Sequence, residues 1–185
     1  YSNLGRILTE LEETEYARKA LEKAIKINPN EALAYMNLGL LYESQAKLNS
    51  NGIQFKHAIK EFKIAIRLDS NLSTAKSELL RSASRICDWD SIKKYSFFLE
   101  DLGINGSSIC PLTLMPFEDN PSKHLKRARK FYKDNFLVKE SLTSKLFKRN
   151  KEINSKIRIG YFSSKIHEHP STILISRILE LHNKD

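Results

Sequence analysis

Apolar positions in the first hundred residues recur at the spacing of helices, not strands. Leu4, Leu8, Leu21, Leu38, Tyr42 and Phe62 mark the seams of paired helices, with small residues at Gly5, Ala17, Ala24, Gly39, Ala58 and Ala65. Leu72, Ala75, Leu79, Ala83 and Ile86 give a further amphipathic helix. Asp88 or Asp90 is placed to cap the helical stretch that runs on to Leu102 and stops at Gly103. Trp89 is then expected as a core anchor. Pro111, Pro116 and Pro121 break the next stretch, while Ile109, Leu112, Leu114, Met115 and Phe117 give it an apolar surface. Ser122 is a candidate N-cap for a helix over 123–135, with Leu125, Ala128, Phe131 and Tyr132 inward. Residues 136–155 are basic and weakly patterned, and read as a linker. The period then changes to two: Ile157, Ile159 and Tyr161 alternate with Arg158 and Gly160, and Phe162 closes the run. This predicts a short strand, followed by a polar loop to His169-Pro170 and a helix over 171–184.

The helical part repeats. Tyr1-Ser-Asn-Leu-Gly5 recurs as Tyr35-Met-Asn-Leu-Gly39, a step of 34 residues. Ala17, Leu21, Ala24 and Pro29 are matched by Ala58, Phe62, Ala65 and Ser70, with Asn30 and Asn71 following. That period is the period of tetratricopeptide helix pairs. Each pair leaves an apolar face that a neighbouring pair covers, so the array stacks. Tyr42 to Ala58 spans 16 residues where Leu8 to Ala17 spans nine, so seven residues are inserted, and Asn51-Gly52 marks the place as a longer turn. Asn3 and Asn37 share one register position, on the concave face of such a stack. An Asn amide both donates and accepts, so it can hold a peptide backbone of any sequence. The plainer reading is two ordinary polar positions.

Composition narrows the classes. The chain has 185 residues, 41% hydrophobic and 29% charged, enough for a core. No run of about 18 apolar residues is present, so no membrane span or membrane partner is expected. No signal peptide is visible at Tyr1, and the absence of an initial Met is expected of a chain cut from something longer. Cys87 and Cys110 lack metal-ligand spacing and are expected as buried thiols in a reducing, cytoplasmic setting, with a disulfide as the alternative. No metal site is expected. Asn71-Leu-Ser73 and Asn105-Gly-Ser107 fit a glycosylation pattern, as chance does. The net charge of +9 is concentrated from Pro121 to Arg158, with thirteen Lys or Arg against three acids. Such a segment can attract nucleic acid or acidic protein. No aromatic or Gly-rich RNA-binding pattern accompanies it, so a solvated helix face is the preferred reading.

Arg158-Ile-Gly-Tyr-Phe-Ser-Ser164, then His169-Pro170, then Leu181-His182-Asn183, resembles the opening of the catalytic region of O-linked N-acetylglucosamine transferases. Cys87-Asp-Trp89 is similar to the junction after that family's last repeat, and the connector resembles its bacterial members. The resemblance implies a mainly α chain. Tetratricopeptide repeats with a capping helix pair would fill 1–102, a connector with a basic helix 103–155, and 156–185 would hold the first strand–helix unit of a two-lobed glycosyltransferase. It implies transfer of N-acetylglucosamine from UDP-N-acetylglucosamine to Ser or Thr, with no cofactor. Acceptor proteins would bind through an Asn ladder that includes Asn3 and Asn37.

The resemblance places His169 beside the sugar-nucleotide site, as a candidate for proton transfer. Independently, a histidine between a strand and a helix N-terminus can reach an anion held there. The plain alternative is that His169 fills the strand–helix junction. Two positions depart from the family: Lys165 stands for an acid and Ile173 for a second histidine. One strand cannot make a stable sheet, and the family's nucleotide-binding lobe would lie beyond Asp185, so these 185 residues alone are expected to be inactive. The competing class is a non-enzymatic repeat scaffold.

Overall fold

The structure is a computed structural model, and it describes residues 1–49, 52–136 and 170–181. The chain forms two compact units, Tyr1–Glu140 and Ser141–Asp185. Among the described residues every regular element is helical.

The first unit begins with three helix pairs: α1 (Ser2–Glu10) with α2 (Thr14–Ile27), α3 (Ala32–Asn49) with α4 (Gly52–Leu68), and α5 (Ser73–Arg85) with α6 (Trp89–Tyr95). Each helix packs on its pair partner, and α1 and α2 pack on α3 as α3 and α4 pack on α5. The seams are built as the periodicity predicts. Gly5 lies under Leu21 and Gly39 under Phe62; a Cβ at either glycine would stand 2.5 Å from the side chain above it. Ala17, Ala58, Ala65 and Ala75 are fully buried beside them. Leu4 is the exception to the expected seam: it is half exposed, and Leu38 and Leu41 complete the first cluster with Ala17 and Leu21.

The first and third pairs share one turn. Glu12 and Cys87 both take positive φ, 62° and 55°. The N–H after each reaches back five residues, Glu13 to the Leu8 carbonyl and Asp88 to the Ala83 carbonyl, both at 2.9 Å. This left-handed C-terminal turn satisfies carbonyls that a helix end would otherwise leave bare. The common geometry marks α5–α6 as a third pair, although its Tyr-x-Asn-Leu-Gly signature is gone.

The second pair differs. The seven inserted residues do not make a longer loop; they lengthen α3 to 18 residues and α4 to 17. Ala46 and Phe55 on the added turns are buried, so the extension is held by packing.

Beyond α6, a 3-10 turn (Ser96–Glu100) leads to Gly103, whose φ of 75° makes the expected stop. A short helix α7 (Pro111–Leu114) and a second 3-10 turn (Met115–Phe117) follow. Ile109 and Leu114 are buried with Leu80, Phe98, Leu99 and Leu102, so the connector lies on the stack as its apolar residues predict. Leu112 and Met115 face outward.

Helix α8 (Pro121–Phe136) corrects two expectations. Asn120, not Ser122, caps it, accepting the Lys123 N–H at 3.1 Å, and Pro121 takes the first turn, where a missing N–H costs nothing. Its buried residue is Arg127; Leu125, Ala128 and Tyr132 are exposed. Arg127 faces two backbone carbonyls, of Leu102 and Leu99, and its guanidinium has donors for both.

In the second unit, α9 (Pro170–Leu181) is the described element, and Pro170 opens it as expected. The predicted strand at 156–162 lies outside the described residues.

Candidate functional site: a polar cleft on the inner helices

The first helices of the pairs, α1, α3 and α5, lie side by side. Asn37 projects from α3 towards α1, and its Nδ2 donates to the Ser2 carbonyl at 3.3 Å and to Ser2 Oγ at 3.2 Å. Asn37 is 4% exposed, and its Oδ1 is buried with no partner. A bare buried acceptor costs about 1–3 kcal/mol, so its retention calls for a reason. It adjoins a cleft of ≈ 270 Å³ lined by Arg6, Thr9, Glu10, Asn37 and Leu40. The cleft is amphipathic: Arg6 pairs with Glu10 at its rim, and Leu40 gives it an apolar wall.

Asn3 and Asn37 are thus not equivalent. Asn3 is exposed, whereas the Ser2 backbone of α1 lies over Asn37 and fixes its amide. The third position of the ladder is not an Asn. Asn30 to Asn71 and Asn37 to Glu78 are the same 41-residue step, so Glu78 stands in Asn37's register on α5. Sequence reading missed it, and that step was the signal that could have found it.

Glu78 accepts from Arg81 Nε at 2.6 Å, and Arg81 Nη2 also donates to Glu43 of α3 at 3.0 Å. Lys47 Nζ lies 3.4 Å from Glu43. Burial, with the Glu43 charge beside it, pushes the Glu78 carboxyl up to about 7, against the pull of Arg81. Near neutrality Glu78 therefore carries a proton part of the time. This network bridges α3 and α5 as Asn37 bridges α3 and α1.

The other expected site residues fare differently. His169 and Lys165 lie outside the described residues. Ile173 sits exposed on α9. Trp89 is 66% exposed and not a core anchor, because α6 starts at Trp89 and the neighbouring Asp88 turns in to cap it through the Ser91 N–H, at 3.0 Å. Cys87 and Cys110 are unpaired and exposed, not buried. Among the described residues no cluster of His, Cys, Asp or Glu could hold a metal ion, and no helix is long and apolar enough to cross a membrane.

Stacked helix pairs with glycine seams and a cleft on their first helices define a helical-repeat fold. Residues 5–45 match the family model described as TPR repeat, so α1, α2 and most of α3 form a tetratricopeptide repeat. No curated protein matches the chain.

Proposed function

We propose that the helix pairs bind extended segments of partner proteins along the inner cleft, with Asn37 as the central backbone contact. Tetratricopeptide repeats serve protein–protein interaction, and the single observation that carries the reading is the bare Oδ1 of Asn37. A peptide N–H entering the cleft beside Asn37 would give Oδ1 its missing donor while Nδ2 keeps its bonds to Ser2. Recognition through backbone is tolerant of sequence.

The finer reading rests on the sequence motifs from Cys87-Asp-Trp89 to His169-Pro170. On it, the bound segment is an acceptor, and the chain serves a protein O-linked N-acetylglucosamine transferase of bacterial type. UDP-N-acetylglucosamine is the donor, and His169 is the candidate for proton transfer beside the sugar-nucleotide site. The competing reading is a scaffold that binds peptides and no nucleotide.

The test uses fluorescence anisotropy with a labelled, uncharged Ser/Thr-rich peptide and its scrambled version. Both are expected to bind alike, and Asn37→Ala to weaken both by about tenfold, or about 1.4 kcal/mol. Unchanged binding by Asn37→Ala, with a lowered melting temperature, would make Asn37 a structural lock and end the peptide reading. The transferase reading is tested separately, by UDP-N-acetylglucosamine hydrolysis with the uninterrupted gene product. Loss of hydrolysis in His169→Ala supports it; no nucleotide binding at all leaves the scaffold.

A further inference from the structure

A second groove, sharing no residue with the inner cleft, runs along α4. Lys56, Lys60, Lys63 and Arg67 follow one another at steps of four, three and four residues, which places them in one stripe along the helix. They border a groove of ≈ 720 Å³. Its remaining lining is mainly apolar, from Ile59 and Ile64 of α4 and Ile86 at the end of α5. An ordinary solvated face has cations over water; here they stand over a concave isoleucine surface.

The charges are largely uncommitted. Lys63 is fixed, donating to Ser91 Oγ at 3.0 Å and lying 5.7 Å from the centre of the Tyr95 ring. Lys56, Lys60 and Arg67 have no carboxylate within 4.0 Å among the described residues. The acid in the groove, Asp88, is engaged as the α6 cap. The chain's own residues 137–169 carry eight Lys or Arg against three acids, so their charge opposes docking here.

We propose that this groove docks an acidic, leucine-bearing segment of a partner protein, its carboxylates on the Lys56–Arg67 stripe and its apolar side chains on the isoleucine floor. The stripe is about 16 Å long at the helical rise, and an extended segment of about five residues spans it. The alternating side chains of such a segment suit a groove with cations at its rim and an apolar floor. This inference stands apart from the inner cleft and from any transferase activity.

The test titrates the full chain with a labelled peptide of alternating Glu and Leu, about eight residues long. The anisotropy is read at near-physiological salt, with Trp89, next to Asp88, as a second reporter. Controls are the same peptide with Ser for Leu, and polyuridylate. The Glu/Leu peptide is expected to bind, and the Ser version to lose about tenfold or more. Lys60→Glu with Arg67→Glu, both exposed, is expected to cost about tenfold or more with the melting temperature unchanged. Asn37→Ala should leave this binding intact. Equal binding of the Ser peptide, or of polyuridylate with a steep salt dependence, would overturn the proposal in favour of general anion attraction. Self-association that Lys60→Glu abolishes, seen by sedimentation, would reassign the groove to a second copy.

Discussion

The repeat stack and the connector solve one problem, holding a helix on its neighbours, by opposite means. In the stack, Gly39 under Phe62 repeats Gly5 under Leu21, and the contact is shape alone. In the connector, α8 is held by a polar latch. Arg127, fully buried, donates from Nε to the Leu102 carbonyl at 3.0 Å and from Nη2 to the Leu99 carbonyl at 2.6 Å. Its Nη1 donates to Glu118 at 2.6 Å. Lys123 joins Glu118 at 2.8 Å and Glu100 at 3.1 Å. Shape complementarity can be repeated along a chain, so it builds arrays. A guanidinium latch is a single device, suited to the place where an array ends.

The largest effect should come from breaking the seam. Phe62→Ala is expected to cost about 3–5 kcal/mol, since the fully buried ring leaves a cavity over Gly39. Gly39→Leu, which drives a side chain into that ring, should cost at least about 1–3 kcal/mol. Urea unfolding of the whole unit reads both. Equal stability of either variant would mean the seam does not hold the stack.

Arg127→Met keeps bulk but strands two carbonyls and leaves Glu118 to Lys123 alone, with a loss of up to about 3–5 kcal/mol. The loss should be local. Amide exchange of α8 and of the 96–102 turn should rise sharply while α1–α4 stay protected. Arg127→Lys should fall between, because an ammonium cannot span both carbonyls in the same fork. A uniform loss across the stack would erase the distinction between seam and latch.

The smallest effect separates the two regions by pH. Glu78 has its folded pKa raised from 4.5 to about 7. The folded state therefore holds the extra proton between those values, and its contribution to stability falls as pH rises through the window. Burial raises the Glu118 pKa, but the hydrogen bonds and charges of Lys123 and Arg127 outweigh it and hold the carboxyl below its usual range. That contribution is present above the ordinary carboxylate pKa and is lost as pH falls through the depressed one. Melts from pH 5 to 8 should show the Glu78 contribution and not that of Glu118, and Glu78→Gln should reduce the slope to what Glu61, whose pKa burial also raises, contributes. A slope unchanged in Glu78→Gln would assign the titration to another group.

How much of this could be read from the residues follows the same division. The seams were legible because their small and large residues recur in the same order, Gly5 at Gly39 and then Ala17, Leu21 and Ala24 at Ala58, Phe62 and Ala65. An aspartate cap at 88 or 90 was legible because capping is local, and the structure chose Asp88. The α8 contacts were not, because a helical pattern scores Arg127 as an outward cation and Leu125 as inward. The partners that reverse this are backbone carbonyls, which have no signature in sequence. Trp89 misled for a similar reason: its size argues for burial, but the Asp88 cap fixes the helix start at the surface. In the candidate cleft, Asn3 and Asn37 were equal in sequence and became unequal only when Ser2 came to lie over one of them.

By itself the sequence determined that this chain stacks helix pairs, because the Tyr-x-Asn-Leu-Gly motif recurs after 34 residues and the same small and large residues follow it in the first two pairs. It also carries the motif from Arg158 to Pro170, on which the transferase proposal rests. The tertiary structure alone decided that seven inserted residues extend two helices, that one asparagine keeps a bare oxygen beside a cleft, and that a buried arginine closes the stack. Each of these depends on what lies across a gap from a residue distant in the chain. Only packing brings such groups within hydrogen-bonding or van der Waals reach.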